Sequence, residues 1–165
     1  MNEPLSLQPF ETAHVRLLSE WLSRSHVARW HPDPGARVEW ALNPPPGGAH
    51  ALIVLAERPI GHLRWQKVDR ETLDALGLSE IPEGSVDVDI LIGEADCLGR
   101  GYGPTALALL VETLRRDATV PLVGLSPSID NASAQRAYEK AGFCKICEYE
   151  ALGFGRCALM IMPLA

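Results

Sequence analysis

The sequence predicts a single domain of the α/β (α+β) class, on three observations. A chain of 165 residues that is 47% hydrophobic buries one good core and nothing in its length asks for a second, so the domain is expected to span 1–165. Between Ser85 and Arg116 a strand, a glycine loop and a helix follow directly on one another. Elsewhere short strand-like segments recur, two of them joined as a hairpin, and helical stretches alternate with them.

The elements follow in order. Leu5 to Phe10 alternates apolar and polar residues and is expected to be a strand. Thr12 is the expected N-cap of a helix running to about Ser23, whose apolar positions Val15, Leu18, Trp21 and Leu22 recur at helical spacing and leave Arg16, Ser19 and Glu20 to solvent. Trp21 is thereby a core residue rather than a ligand. Turn formers dominate His26 to Pro46, so a loop with one short helix near Ala36 to Leu42 is expected. Strands at His50 to Ala56 and Ile60 to Val68 flank Glu57-Arg58-Pro59, a hairpin turn. The acidic excursion Asp69 to Gly84 carries a short helix at Glu71 to Leu76.

From Ser85 the pattern sharpens. Val86, Val88, Ile90 and Ile92 alternate with Asp87, Asp89 and Leu91, as in a half-buried strand. Leu98-Gly99-Arg100-Gly101-Tyr102-Gly103-Pro104 then leads into a helix at Thr105 to Arg116, with Leu107, Leu110, Val111 and Leu114 on its apolar face. A strand at Pro121 to Leu125, a helix from about Asn131 to Ala141 and strands at Phe143 to Ala151 and Arg156 to Met162 complete the chain. Gly142 suits the position that ends a helix.

A net charge of −6 argues against a nucleic-acid surface, which needs clustered Lys and Arg. A small cationic partner suits this balance, as does solubility alone. Met1-Asn2-Glu3-Pro4 has neither a basic start nor an apolar run behind it, and no stretch approaches the length of a membrane span, so a cytoplasmic location and no membrane partner are expected. Cys144-Lys145-Ile146-Cys147 has the outward form of a metal or redox pair, but no second pair accompanies it and its context is a strand. Reduced structural thiols and no metal are expected.

Gly99, Gly101 and Gly103 let backbone pass close to a ligand, and the helix behind them points unpaired N–H groups and its positive dipole end into the same space. This is a cradle for pyrophosphate. Pro104 fits a first helical turn, where its missing donor costs nothing. A nucleotide-binding Rossmann or P-loop fits poorly, because no Gly-Lys-Ser/Thr follows and the loop lies well past the first strand, and taken alone Gly99 to Gly103 is also compatible with a tight turn of no function.

The second half then supplies Asn131-Ala132-Ser133-Ala134-Gln135-Arg136-Ala137-Tyr138-Glu139-Lys140-Ala141-Gly142-Phe143. Together with the glycine loop it resembles the acetyl-CoA core of the GNAT superfamily of N-acetyltransferases. Trp21-Leu22-Ser23-Arg24-Ser25-His26, Trp30 and Val86 to Glu94 are similar to segments of the bacterial aminoglycoside 6'-N-acetyltransferases. The resemblance implies a mixed, mostly antiparallel, twisted sheet of about seven strands, splayed into a V between strands 4 and 5, with about four helices around it. It implies acetyl-CoA as co-substrate: pyrophosphate on Gly99, Arg100, Gly101, Tyr102, Gly103, Pro104 and Thr105, pantetheine along Ile90, Leu91 and Ile92, and a cofactor contact from Asn131. It further implies Tyr138 beside the thioester sulfur, Asp89 next to the reacting amine and Trp30 lining the acceptor pocket. Leu98 stands where many members carry Gln or Arg, and Ser126 where some carry an aspartate that binds a second ammonium.

Amide formation on this pattern needs orientation and a stabilised oxyanion, with N–H groups near Leu91 and Ile92 as the natural donors. Asp89 binds the ammonium and takes its proton, directly or through water, and Asp87 on the same strand face adds negative charge. Tyr138 hydrogen-bonds or protonates the leaving thiolate. Trp30, Trp65, Asp87, Asp89 and Ser126 are the expected acceptor-binding set, whereas His26, His31, His50 and His62 are expected to be surface or satisfied polar residues. A protein or peptide acetyltransferase and a non-catalytic acyl-CoA-binding domain are the alternative functions, and both a monomer and a homodimer are compatible with the sequence.

Overall fold

The computed structural model describes residues 3–164. Its strands are β1 (Leu5–Pro9), β2 (Gly48–Leu55), β3 (Arg58–Lys67), β4 (Val86–Ile92), β5 (Leu122–Leu125), β6 (Cys144–Ala151) and β7 (Gly155–Pro163). Its α-helices are α1 (Val15–Ser23), α2 (Ser25–Ala28), α3 (Pro34–Leu42), α4 (Arg70–Ala75), α5 (Tyr102–Leu114) and α6 (Ala132–Lys140). The strands form one seven-stranded sheet in the order β1-β2-β3-β4-β5-β7-β6. Every neighbouring pair is antiparallel except β4 and β5.

That exception shapes the molecule. The parallel pairing covers only Val86↔Val123, Asp87↔Gly124 and Val88↔Leu125, while β4 continues to Ile92, still paired on its other side with β3. Beyond Leu125 the chain stays with β7 instead, through the Ala158 N–H to the Pro127 carbonyl at 2.8 Å and the Ile129 N–H to the Arg156 carbonyl at 3.2 Å. The two strands therefore part at Asp89, which is the expected V.

Alternation along β4 separates two cores. Val86 and Val88 join Leu63, Ala106, Leu107, Leu110, Val123, Phe143 and Met160 on the α5 side, with Ile90 and Ile92 packed against them. Leu91 points the other way, into Leu18, Trp21, Leu22, Val27, Leu52 and Val54 under α1 and α3. Leu18 and Trp21 are fully buried and Leu22 nearly so, each contributing about 1.5–3 kcal/mol by burial. Trp21 also donates its indole N–H to Glu94 at 2.9 Å.

Three local expectations change. Thr12 is not a cap: a 3₁₀ turn occupies Thr12–His14, and Glu11 forms the capping box with His14 before α1 begins. The loop after α1 contains a further short helix, α2, and α3 begins at Pro34 with the Asp33 side chain accepting from the Ala36 N–H at 3.0 Å. The β2–β3 turn falls on Ala56 and Glu57, with Ala56 at φ 55, so Arg58 and Pro59 already belong to β3. A register shift between Ile53 and Val54 accommodates this proline in the ladder.

Candidate active site

The strand end at the V is held from α1 and α2. Arg24 donates to the Gly93 carbonyl at 2.9 Å and to Glu94 at 2.8 Å, and a His26 ring nitrogen lies 3.1 Å from the Ile92 carbonyl. Gly93 itself lies against the indole of Trp21, where an added Cβ would come within 2.0 Å of the ring. The segment from Trp21 to His26 thus fixes where β4 stops.

After that stop the chain turns through Ala95–Cys97 and enters the glycine loop. Gly99 and Gly101 have φ of 71° and 81°, and Gly101 is the N-cap of α5, with no side chain bonded there. Apart from neighbouring stretches of the chain itself, nothing lies within 4 Å of a Cβ built at Gly99, Gly101 or Gly103, so the loop has open space beside it. Helix α5 starts three residues earlier than the apolar pattern suggests, because Tyr102, Gly103 and Pro104 form its first turn. Arg100 is exposed, Tyr102 packs on the core, and the Thr105 hydroxyl donates to the Gly101 carbonyl at 2.9 Å.

A cavity of about 600 Å³ opens at the V and is lined by Trp30, Asp87, Asp89, Ile90, Ser126, Asn131 and Tyr138, among others. Leu91, Ile92 and the Gly99 to Thr105 loop lie outside this cavity. Leu91 is buried toward α1, and Ile92 and the loop follow along the open strand. Trp65 also lies outside it. Its ladder partner is Val88, whereas Arg64 and Gln66 oppose Asp89 and Asp87, so Trp65 faces the α5 core and borders only a smaller cavity of about 100 Å³.

Asn131 caps α6 by accepting the Ala134 N–H through Oδ1 at 3.1 Å, which leaves its amide NH₂ as the donor toward the cavity. Desolvation, and then the negative charge of Asp89, push the Tyr138 hydroxyl well above its ordinary range, so it stays protonated. Ser126 accepts a hydrogen bond from Tyr149 at 2.5 Å.

The two carboxylates differ. Asp89 is ion-paired through Oδ2 with Arg37 and, at 3.2 Å, with Arg64. Although desolvation opposes ionisation, Arg37, His31 and Arg64 outweigh it and hold the Asp89 carboxyl below its usual value. Asp87 has no hydrogen-bond partner among the described residues and stands exposed to the cleft. Desolvation by the cleft walls, followed by repulsion from Asp89, pushes it up to about 7.

Arg37, Arg64 and His31 were not among the expected site residues. Arg37 is 2% exposed and desolvation pulls it down to about 10, so its partner is indispensable. His31 lines the cavity beside Trp30, and burial lowers its pKa. The signal for Arg64 lay in β3, where His62, Arg64 and Gln66 alternate with Leu63 and Trp65. Among the described residues no group of three or more His, Cys, Asp or Glu side chains is placed to hold a metal, and all four cysteines are free. No helix there is long and apolar enough to cross a membrane.

A splayed β4 with a cleft at its opening, and a glycine loop at the N-terminus of α5, are the features of an acetyltransferase of the acyl-CoA-using class. The chain belongs to the GNAT acetyltransferase family, whose domain profile matches residues 11–151. It is 30% identical to the aminoglycoside N(6')-acetyltransferase type 1 of Klebsiella pneumoniae, over 86% of this chain and 75% of that one. A kanamycin resistance protein of Rhizobium radiobacter is 39% identical over 39% of this chain and 59% of its own. The crystal structure of the aminoglycoside acetyltransferase AAC(6')-Ib in complex with coenzyme A and kanamycin superposes with a TM-score of 0.81 at 28% identity, covering 97% of this chain and 95% of the other.

Proposed function

We propose that this chain transfers the acetyl group of acetyl-CoA to a primary amine of a small cationic acceptor, with the 6'-amine of an aminoglycoside as the leading acceptor. The observation that carries this reading is the single cavity in which Asp87 and Asp89 of β4 meet Asn131 and Tyr138 of α6. Kanamycin in the complex of the related enzyme supports the acceptor class.

The residues fit the co-substrate. The open backbone at Gly99, Gly101 and Gly103 leaves room for a pyrophosphate, with Arg100, Tyr102, Pro104 and Thr105 framing it. Beyond Val88 β4 has no β5 partner, so the main-chain groups of Ile90 to Ile92 that face away from β3 are available to an amide-bearing arm, the Ile92 carbonyl excepted because His26 lies on it, and the Asn131 NH₂ adds a donor. The bound co-substrate supplies a thioester carbonyl. N–H groups near Leu91 and Ile92 serve its developing oxyanion.

On the acceptor side Trp30, Asp87, Asp89 and Ser126 form the wall, whereas Trp65, on the opposite face of β3, takes no part. Asp89, kept ionised by two guanidiniums, binds and orients the ammonium. The sequence pattern gives proton transfer to Asp89, but two guanidiniums hold that carboxyl below its usual value. Asp87, raised to about 7, is therefore the stronger base of the pair and takes a proton from the ammonium, directly or through water, before the neutral nitrogen bonds to the carbonyl carbon. When the C–S bond breaks the second nitrogen proton leaves with the sulfur as free thiol, and Tyr138 hydrogen-bonds or protonates the departing thiolate. Thiol release from acetyl-CoA across an amine library tests the proposal. Release with kanamycin-like amines supports it; release with peptides alone, or with nothing despite acetyl-CoA binding, defeats it.

A further inference from the structure

Behind Asp89 lies a chain of side chains that never reaches the cleft. The Arg37 Nη1 donates to Asp89 Oδ2, while its Nε and Nη2 lie 3.2 and 3.0 Å from His62 Nδ1. His62 Nε2 in turn lies 3.1 Å from His50 Nδ1. Arg37 is 2% exposed and His62 fully buried, and Phe10 packs on both imidazoles, with ring centroids 4.7 Å from His50 and 4.8 Å from His62.

The donors fix the protons. A guanidinium has no acceptor, so His62 Nδ1 must be bare and receive the Arg37 hydrogens. His62 is held neutral, well below its ordinary pKa, by desolvation first and by the Arg37 charge next. Its one proton therefore sits on Nε2 and is donated to His50 Nδ1, which fixes the His50 proton on Nε2. Arg37 from α3, Arg64 from β3, Asp89 from β4 and His31 from the loop before α3 are the charged or titratable groups around the pair.

We infer that Arg37 is the positioning residue of the acceptor site and that the His62–His50 pair holds it there, so that acceptor binding depends on two histidines that touch no acceptor. This rests on the acceptor reading proposed above. Arg37 and Arg64 both engage Oδ2 of Asp89, and Oδ1, without a partner among the described residues, is the oxygen left for the ammonium. Without His62, two buried guanidinium donors lose their acceptor and the arginine no longer has one favoured pose.

The test compares His62→Leu, which removes the acceptor atom, with His62→Asn, whose carbonyl replaces Nδ1. Acceptor KM and kcat are read by thiol release with kanamycin, acetyl-CoA affinity by calorimetry, and imidazole tautomers by nitrogen-15 NMR. His62→Leu is expected to raise acceptor KM by about tenfold or more with acetyl-CoA affinity unchanged, and His62→Asn to restore most of the loss. In the wild type His62 should carry its proton on Nε2. An unchanged acceptor KM in His62→Leu, or equal damage to both ligands in both variants, overturns the inference. If the wild type turns over no amine, the function proposal fails separately; the inference then stands or falls on the tautomer, and a proton on Nδ1 of His62 sinks it.

Discussion

Tyr149 donates a hydrogen bond to Ser126 at 2.5 Å, on the wall of the cleft and one residue beyond the end of β5. A neutral pair thus occupies the position at which the family resemblance implies an aspartate in some members. Ser126→Asp should lower the KM of an acceptor with a second ammonium by about fivefold, the worth of a partly screened charge pair. Steady-state kinetics with kanamycin and with a monoamine separate a charge effect from a general one. Equal change for both acceptors counts against it.

Asp87 predicts the pH profile. With its pKa at about 7, its basic form dominates above that value, so kcat/KM should fall as pH drops through about 7. Asp87→Asn should lower the plateau and abolish this limb. Profiles measured from pH 5.5 to 9 decide it, provided chemistry limits the rate.

The glycine cradle is tested at two positions. Gly103 has no positive φ and free space around a Cβ, so Gly103→Val should remain folded yet lose at least about tenfold in acetyl-CoA affinity by obstructing the backbone approach. Gly101→Val adds left-handed strain at φ 81° and should also lower Tm. Calorimetry and thermal melts on both variants distinguish blockage from strain. Unchanged affinity in folded Gly103→Val removes the pyrophosphate assignment.

Tyr138→Phe keeps the ring and loses the hydroxyl. It should reduce kcat by about 100-fold and leave the acetyl-CoA dissociation constant within about twofold of wild type. Single-turnover measurements isolate the chemical step. Wild-type rates there would make Tyr138 a packing residue.

Gly93→Ala should be costly for a residue so small. Its Cβ would overlap the Trp21 ring, so the indole or the β4 terminus must move, at about 1–3 kcal/mol. Chemical denaturation measures this. An unperturbed midpoint would mean the α1 layer yields freely.

Much of this was legible before the fold was known. The alternation of β4, the glycine loop and Asn131 before α6 each carry local rules, and each lies where those rules place it. What stayed hidden depends on register and distance in the chain. Arg37 pairs with a carboxylate 52 residues away, and a lone arginine among prolines and glycines gives no sign of burial. His62 reads as a surface or satisfied polar histidine, and it is the second, but its partner Arg37 lies 25 residues away and leaves no local mark. Trp65 was misplaced by proximity, although its own strand held the answer: it shares the parity of Leu63 and faces opposite Arg64.

The short seam between β4 and β5 has an evolutionary consequence. Past Asp89 the unpaired edge of β4 offers main-chain groups between Ile90 and Ile92, which are the same whatever side chains the strand carries. The cleft beside it presents Asp87, Asp89 and Ser126 by their side chains. On the proposed reading, substitution at side chains such as Ser126 can redraw the preference for the amine while the main-chain grip on the thioester donor stays untouched.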